Sequence, residues 1–171
     1  GIVFVPQDVR FPYLGCHVVL SLNDHIDADT GMIDADAVPH KAWLRELIAP
    51  LRNKKIGAVN GQRWYFPPRA NMGDLIRYIW NIAAVLQMIF FRIPWGGSLA
   101  IRIDVLQKCN VLDYYEKALV QDVPLFDILK NQGYTIEFVP SVLMINRESV
   151  TLSSLVPWIQ RQLLWAILYH S

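Results

Sequence analysis

Apolar residues in this chain recur at two spacings, and the alternation between them predicts strands and helices in turn. Short apolar runs bounded by glycine, proline or polar residues are typical of buried strands. Such runs predict strands over 1–5, 16–22, 56–59, 99–102 and 135–139, and one more that ends at the acidic triplet 34–36. Residues 64–68 are expected to be extended until the prolines stop them.

Longer stretches with a helical repeat lie between these strands. The predicted helices are one that begins at Pro39 and runs to about residue 51, and others over 74–91, 122–132 and 152–169. A short helix capped by Asp104 is expected between the helices over 74–91 and 122–132. Gly133 is expected to end the helix over 122–132. Alternating strands and helices predict an α/β fold in which helices flank a sheet, with residues 1–171 in a single domain.

Composition adds one constraint on the surface. Hydrophobic residues make up 53% of the chain and charged residues only 18%, where about 25% charged is usual. This excess predicts either an unusually large core or an apolar surface that meets a membrane or a partner. The net charge is +1, and no basic cluster is interleaved with aromatic residues, so we do not expect nucleic acid as a partner.

The most apolar segment, residues 78–91, leaves two interpretations open. It is too short to be a confident transmembrane span, for which about 20 apolar residues are needed. One interpretation is a buried core helix. The other is a helix in the membrane interface, with Trp80 and Trp95 near the headgroups and Arg77 and Arg92 as basic flanks.

Two Asp-x-Asp triplets occur near the start of the chain, at 27–29 and at 34–36. Only the second follows an apolar strand and precedes Pro39, and its carboxylates at Asp34 and Asp36 are suitable ligands for Mg²⁺ or Mn²⁺ against a diphosphate. The alternative is that this pair caps the following helix. The first triplet does not match a calcium-binding loop and is interpreted as a solvated acidic loop. Asp29-Thr30 as the donor motif is the second-ranked alternative, because nothing after it matches.

Four blocks in a fixed order carry a family resemblance: 34–36 with Pro39 and 43–44, 57–65, Trp95-Gly96-Gly97-Ser98 with 99–102, and 121–122 followed by 158–165. Over residues 32–170 the chain resembles glycosyltransferases of families 2 and 21, especially the ceramide-glucosyltransferase-like branch. The resemblance implies a GT-A fold and inverting transfer from a nucleotide sugar. Fewer residues precede the acidic triplet than is usual in the family, so part of the N-terminal nucleotide-binding half is expected to be missing.

The resemblance also implies roles for individual residues. Asp34 and Asp36 match the family's Asp-x-Asp, which binds Mg²⁺ or Mn²⁺ and the donor diphosphate. Asp122 matches the general base that takes the proton from the acceptor hydroxyl, although an aspartate before Val-Pro is also an ordinary helix cap. Gln121 stands where the family often has an acidic residue.

Two further segments are implied to bind the donor. Gly97 and Ser98 match the loop beside the donor sugar, where a glycine lets the backbone approach the ligand; a tight turn before a strand is the alternative. Arg161, Gln162 and Trp165 match the family's Gln/Arg-x-x-Arg-Trp region, but Leu164 replaces its second arginine. The alternative for Arg161 and Gln162 is the polar face of an amphipathic helix.

The expected function is transfer of a hexose from a nucleotide sugar, with a UDP-sugar as the expected donor, to a ceramide-like lipid at the cytoplasmic face of a membrane. A polysaccharide synthase fragment and a non-catalytic membrane-associated module remain as alternatives. The incomplete arginine motif, in which Leu164 stands for arginine, argues against the synthase.

Overall fold

The computed structural model describes residues 17–21, 30–34, 37–67, 69, 71–115 and 122–169. The strands are β1 His17–Ser21, β2 Thr30–Asp34, β3 Ile56–Asn60, β4 Arg63–Tyr65, β5 Ser98–Ile101, β6 Thr135–Phe138 and β7 Met144–Asn146. The helices are α1 Trp43–Ile48, α2 Met72–Phe91, α3 Ile103–Lys108, α4 Val111–Tyr115, α5 Asp122–Asn131 and α6 Leu152–Tyr169. Short 3₁₀ turns cover Ala49–Arg52 and Pro140–Val142.

These elements form a mixed sheet flanked by helices. The strand order is β1-β2-β5-β3-β6, in which β3 and β6 are parallel and the other neighbours are antiparallel. β4 and β7 form a separate two-stranded parallel sheet. The predicted α/β class with helices on a sheet is therefore confirmed at this level.

The two central strands, β3 and β5, are buried along their whole length because helices cover both faces of the sheet. Successive strand side chains point to opposite faces. Leu99 and Ile101 therefore pack with α3, α4 and α5 on one side, and Ala100 packs with Trp43 and Leu47 of α1 on the other. This arrangement fixes β5, and with it the glycine-rich loop that precedes it.

Most predicted elements are confirmed to within a few residues. β1, β3, β5 and β6 match the predicted strands, and α2, α5 and α6 match the helices predicted over 74–91, 122–132 and 152–169. Gly133 has φ +78°, the left-handed conformation that follows a helix end and favours glycine. The predicted strand over 1–5 lies outside the described residues.

Two predicted helix starts are wrong. Residues 37–40 are not helical, and α1 begins at Trp43 because the first helical hydrogen bond joins the Glu46 amide to the Ala42 carbonyl. Asp104 does not cap α3. Its carboxylate instead accepts hydrogen bonds from the guanidinium of Arg102 at 2.8 and 2.5 Å, which also holds its pKa below the ordinary value.

The start of α2 is tied to the segment that precedes α6. Asn71 Oδ1 caps α2 by accepting from the Asp74 amide at 3.0 Å. The buried Asp74 carboxylate accepts from Ser149 Oγ at 2.6 Å and from the Val150 amide at 2.7 Å. Beside it, Arg77 donates to the Glu148 carbonyl. These contacts hold the two long helices in a fixed relation.

We expect Asp74→Asn to lower the midpoint of urea denaturation at pH 7. Burial by itself raises the pKa of the Asp74 carboxyl, but hydrogen bonds from Ser149 and Val150 and the charge of Arg77 outweigh it, so the pKa lies below its ordinary value. A carboxyl whose pKa is lowered by folding stabilises the fold above its unfolded-state pKa of about 3.9. That contribution is lost as the pH falls through the folded-state pKa.

The difference in denaturation midpoint between wild type and Asp74→Asn should therefore be full at pH 7 and shrink below about pH 4. Asp127→Asn, at an exposed position of α5, is the matched control and should leave the midpoint nearly unchanged. A difference for Asp74→Asn that does not change between pH 7 and pH 3 would contradict this account.

α2 and α6 also present the largest exposed apolar surface among the described residues. α2 is long and apolar enough to cross a membrane by length and composition, and most of it is not buried in the fold. The exposed large apolar residues are Met72, Leu75, Ile79, Leu86, Ile89, Phe90 and Phe91 on α2 and Leu152, Val156, Leu163, Leu164 and Ile167 on α6. A core helix for 78–91 is thus only partly right, because one face is buried and the other is open.

The interface interpretation expected Trp80 and Trp95 near the headgroups and Arg77 as a basic flank, and the structure places these three side chains differently. Arg77 is buried and ion-paired with Glu148 at 3.3 Å, so it cannot serve as a basic flank. Trp80 and Trp95 are half-buried and face a cavity rather than the exposed apolar surface. Arg92, at the end of α2, is exposed as expected.

Candidate functional site

Asp34 is the last residue of β2, and its position is fixed by the neighbouring strand loop. Its amide donates to the Gly97 carbonyl at 3.1 Å, and its carbonyl accepts from the Ala37 amide at 2.9 Å. The Asp34 side chain is 26% exposed, and its Oδ2 accepts from Arg63 Nη2 at 2.8 Å. The sheet therefore holds this carboxylate at the C-terminal end of β2, with access to solvent.

Asp34 faces a cavity of about 240 Å³ between the sheet edge and the two long helices. Its lining joins charged and amide side chains with four aromatic rings. The lining residues are Asp34, Gln62, Arg63, Tyr65, Trp80, Asn81, Ala84, Met88, Trp95, Trp158, Arg161 and Gln162. Small-molecule sites commonly combine apolar walls with a few convergent polar groups in this way.

Aromatic rings from three elements form one wall of this cavity. Trp158 of α6 contacts Tyr65 of β4 edge-on, with 6.3 Å between ring centroids. The same indole contacts Trp80 of α2 at 6.1 Å. Such edge-to-face pairs are a favourable geometry for aromatic side chains. The wall is therefore built by contacts between α2, α6 and β4.

Amide side chains hold β4 in place beside this wall. Asn81 Oδ1 accepts from the Tyr65 amide at 3.1 Å, and its Nδ2 donates to the Arg63 carbonyl at 2.8 Å. Gln62 Oε1 accepts from the Arg63 amide at 2.8 Å. The backbone of Arg63 is thus fixed, and its guanidinium donates to the Asp34 carboxylate.

Gly97 permits the close approach of the loop to Asp34. A Cβ at this position would lie 2.2 Å from an atom of the Trp95 ring and 2.4 Å from Asp34 Oδ2. Real Cβ atoms do not come this close to other atoms, so a larger residue here would force the side chains of Trp95 and Asp34 to move. Gly97 is buried, and its direct contact with a donor stays a prediction.

Ser98 is fully buried at the start of β5. Its Oγ accepts a hydrogen bond from the Trp43 indole at 3.1 Å, which joins α1 to the sheet. Ser98 also lies where a Cβ on Gly61 would collide with its hydroxyl. We assign Ser98 a structural role, and its contact with a sugar stays a prediction.

The two polar residues expected on α6 reach the same cavity as Asp34. Arg161 and Gln162 both contribute to its lining, although they are far from Asp34 in sequence. The backbone of Trp165 lies one turn further along α6, and its side chain is outside the described residues. The structure thus brings Asp34, Arg161 and Gln162 together.

Two predicted acidic residues are not described well enough to be included in this geometry. Asp36 lies outside the described residues. Asp122 is the first residue of α5, but its side chain lies outside the described part of the structure. The convergence of Asp122 with Asp34 therefore stays a prediction.

The side chains near Asp34 can be compared with the ligands that Mg²⁺ or Mn²⁺ requires. No three His, Cys, Asp or Glu side chains are grouped as a metal site within the described ranges, which exclude Asp36. A closed all-protein site is not what Mg²⁺ or Mn²⁺ needs, because Mg²⁺ usually takes one or two carboxylates plus water and phosphate oxygens. Asp34, a solvent-accessible carboxylate at a polar cavity, fits such an open site.

Sequence reasoning missed much of this cavity. The sequence offered Arg63 as a group for the acceptor or the phosphates, but its spacing was not diagnostic. Tyr65 stood in a resemblance block without an assigned role, and Gln62 and Asn81 had none. The usable signal was a run of polar and aromatic residues directly after the buried strand β3 and Gly61. Their convergence with α2 and α6 depends on tertiary packing that no local pattern reveals.

A second cavity of about 280 Å³ lies on the other side of Arg63. Its lining includes Ala37 and Val38 after β2 and the segment from Met144 to Glu148. Arg63 lines both cavities.

No protein-family model matches the sequence, and no curated protein shows significant similarity to it.

Proposed function

We propose that this chain is an inverting, metal-dependent glycosyltransferase with a GT-A-like fold that moves a hexose from a nucleotide sugar to a lipid acceptor at a membrane face. The observation that carries the proposal is the single cavity shared by Asp34, Arg161 and Gln162. These residues belong to two separate blocks of the family resemblance, and nothing in their local sequence requires them to meet.

The chemistry of the cavity suits a sugar diphosphate. A hexose presents apolar C–H faces and polar hydroxyl edges. The rings of Tyr65, Trp80, Trp95 and Trp158 offer surfaces for those faces, while the amide of Gln162 can pair with hydroxyl groups. Arg63 and Arg161 can donate paired hydrogen bonds to phosphate oxygens. Both halves of such a donor thus have complementary groups.

Within this proposal Asp34 holds Mg²⁺ or Mn²⁺ together with Asp36. Such an ion, when bound, would supply stabilisation of the negative charge on the leaving diphosphate. Asp122 takes the proton from the acceptor hydroxyl. The hydroxyl oxygen attacks the anomeric carbon on the face opposite the diphosphate. Arg161 and Gln162 hold and orient the donor, and the aromatic wall limits water near the reacting atoms.

The acceptor side of the proposal depends on where the cavity lies. Trp80 and Ala84 of α2 and Trp158 of α6 line it, and the same two helices carry the exposed apolar surface. A lipid held by that surface would present its polar head towards the cavity. A membrane location follows from the proposal, whereas the cytoplasmic face stays a prediction from the family resemblance.

Titration of UDP in the presence and absence of Mn²⁺ tests the donor site. We expect calorimetry to detect UDP binding that depends on Mn²⁺, and Asp34→Asn to weaken it at least about tenfold through the loss of one charged ligand. Asp127→Asn, at an exposed position of α5, is the control and should bind like wild type.

Absence of UDP binding by the folded wild-type chain with Mn²⁺ would count against the enzymatic proposal. A panel of other nucleoside diphosphates then distinguishes a different base preference from the lack of any donor site. A flat titration for every member, combined with binding to lipid vesicles, would favour the non-catalytic membrane module.

A further inference from the structure

Arg63 already binds the Asp34 carboxylate at which the proposed divalent cation would be held. Arg63 Nη2 lies 2.8 Å from Asp34 Oδ2. A Mg²⁺ ion binds a carboxylate oxygen at about 2.0–2.1 Å. An ion at this oxygen would therefore be close to the guanidinium, and two positive groups at that separation repel each other strongly where water is partly excluded. The guanidinium and a metal ion at this carboxylate therefore compete with each other.

Arg63 has the means to leave this contact. Its backbone is fixed by Gln62 and Asn81, so movement is confined to the side chain. The side chain is 18% exposed, and Arg63 lines two cavities that offer space for such a movement. Its Cζ already lies 5.7 Å from the centre of the Trp95 ring, a contact that can hold the guanidinium in the cavity during a shift.

A diphosphate would give the displaced guanidinium a new partner. Phosphate oxygens accept paired hydrogen bonds from arginine as carboxylates do. Arg161 lines the same cavity, so the diphosphate would lie among Arg63, Arg161 and the ion at Asp34. The diphosphate then gives Arg63 a partner after the cation has displaced it from Asp34. The cation in turn frees Arg63 to bind the diphosphate.

We propose, on the basis of the function proposed above, that Arg63 is an exchangeable cation: it competes with the divalent ion for Asp34 and transfers to the donor diphosphate when the ion binds. Metal and nucleoside diphosphate are then coupled through one side chain. Each ligand alone binds weakly, and each strengthens the binding of the other by the same factor.

Arg63→Met tests this coupling, because methionine keeps an unbranched side chain and removes the charge. Binding of Mn²⁺ alone is measured from the electron paramagnetic resonance signal of the free ion, and binding of UDP at saturating Mn²⁺ is measured by calorimetry. We expect Arg63→Met to bind Mn²⁺ alone about tenfold more tightly and UDP about tenfold more weakly than wild type.

Arg161→Met is the matched control, since it removes one positive charge from the same cavity. It should weaken UDP binding with a much smaller gain in affinity for Mn²⁺ alone. Circular dichroism establishes that each variant is folded, and Arg63→Lys, which retains the charge, provides a second variant that should not gain the tenfold Mn²⁺ affinity of Arg63→Met.

Unchanged or weaker binding of Mn²⁺ alone by folded Arg63→Met would overturn the exchange. An equal gain in Arg63→Met and Arg161→Met would also overturn it, because the effect would then come from the general field of the cavity. Failure of the wild type to bind Mn²⁺ and UDP together would instead count against the proposed function, so the two failures are distinguishable.

Discussion

Gly97→Ala is expected to reduce both the stability of the fold and the Mn²⁺-dependent binding of UDP. The added Cβ would lie 2.2 Å from the Trp95 ring and 2.4 Å from Asp34 Oδ2, so both side chains must move. Overpacking of this kind typically destabilises a protein by about 1–3 kcal/mol. Moving the Asp34 carboxylate displaces the proposed ligand of the ion, and we expect Mn²⁺-dependent UDP affinity to fall at least about tenfold.

A double-mutant cycle with Trp95→Leu separates the two collisions. Leucine lacks the ring atoms that the new Cβ would meet, so Gly97→Ala should destabilise the Trp95→Leu background less than the wild type. UDP binding should remain impaired in the double variant, because Asp34 is still displaced. The free energy of unfolding from urea denaturation and UDP affinity from calorimetry measure the two effects.

Gly133→Ala controls for loss of stability without damage to the site. Gly133 has φ +78°, so alanine is strained there, yet nothing lies within 4 Å of its Cβ position. This variant should be destabilised and still bind UDP normally. Equal UDP affinity for wild type and Gly97→Ala would contradict the role of this glycine in positioning Asp34.

The strands and long helices were predictable because their signals are local. The central strands β3 and β5 are continuous apolar runs, and such runs are typical of strands covered on both faces. The end of α5 was predictable from Gly133, whose conformation few other residues adopt. The start of α1 was not, because an early proline permits a helix without requiring one, and residues 37–40 remain non-helical.

The candidate site was predictable only in part, for a reason that lies in the topology. Asp34, Arg161 and Gln162 could be selected from the family resemblance, and the structure brings them to one cavity. Arg63 could be named as a candidate for the acceptor or the phosphates, but its ion pair with Asp34 could not be predicted, since that pair joins two different sheets. Asn81 was hidden as a polar residue inside an apolar helix, where only the contact with β4 explains it.

The double substitution Ile79→Glu with Phe90→Glu, on the exposed face of α2, is expected to abolish binding of the chain to phosphatidylcholine vesicles. These side chains are 66% and 74% exposed, and their separation of about three helical turns places them on one face. Burying one such side chain contributes about 1.5–3 kcal/mol. Their loss should therefore weaken partitioning roughly 100-fold or more.

The paired control is Gln87→Glu with Tyr114→Glu, which adds the same two charges at exposed positions of α2 and α4. Because Gln87 is polar and Tyr114 lies on another helix, the control should retain most of the vesicle binding. Vesicle flotation measures the bound fraction, and UDP titration shows whether the donor site is intact. Undiminished flotation of the Ile79 and Phe90 variant would exclude this face as the membrane contact, because its most exposed apolar side chains would then contribute nothing to binding.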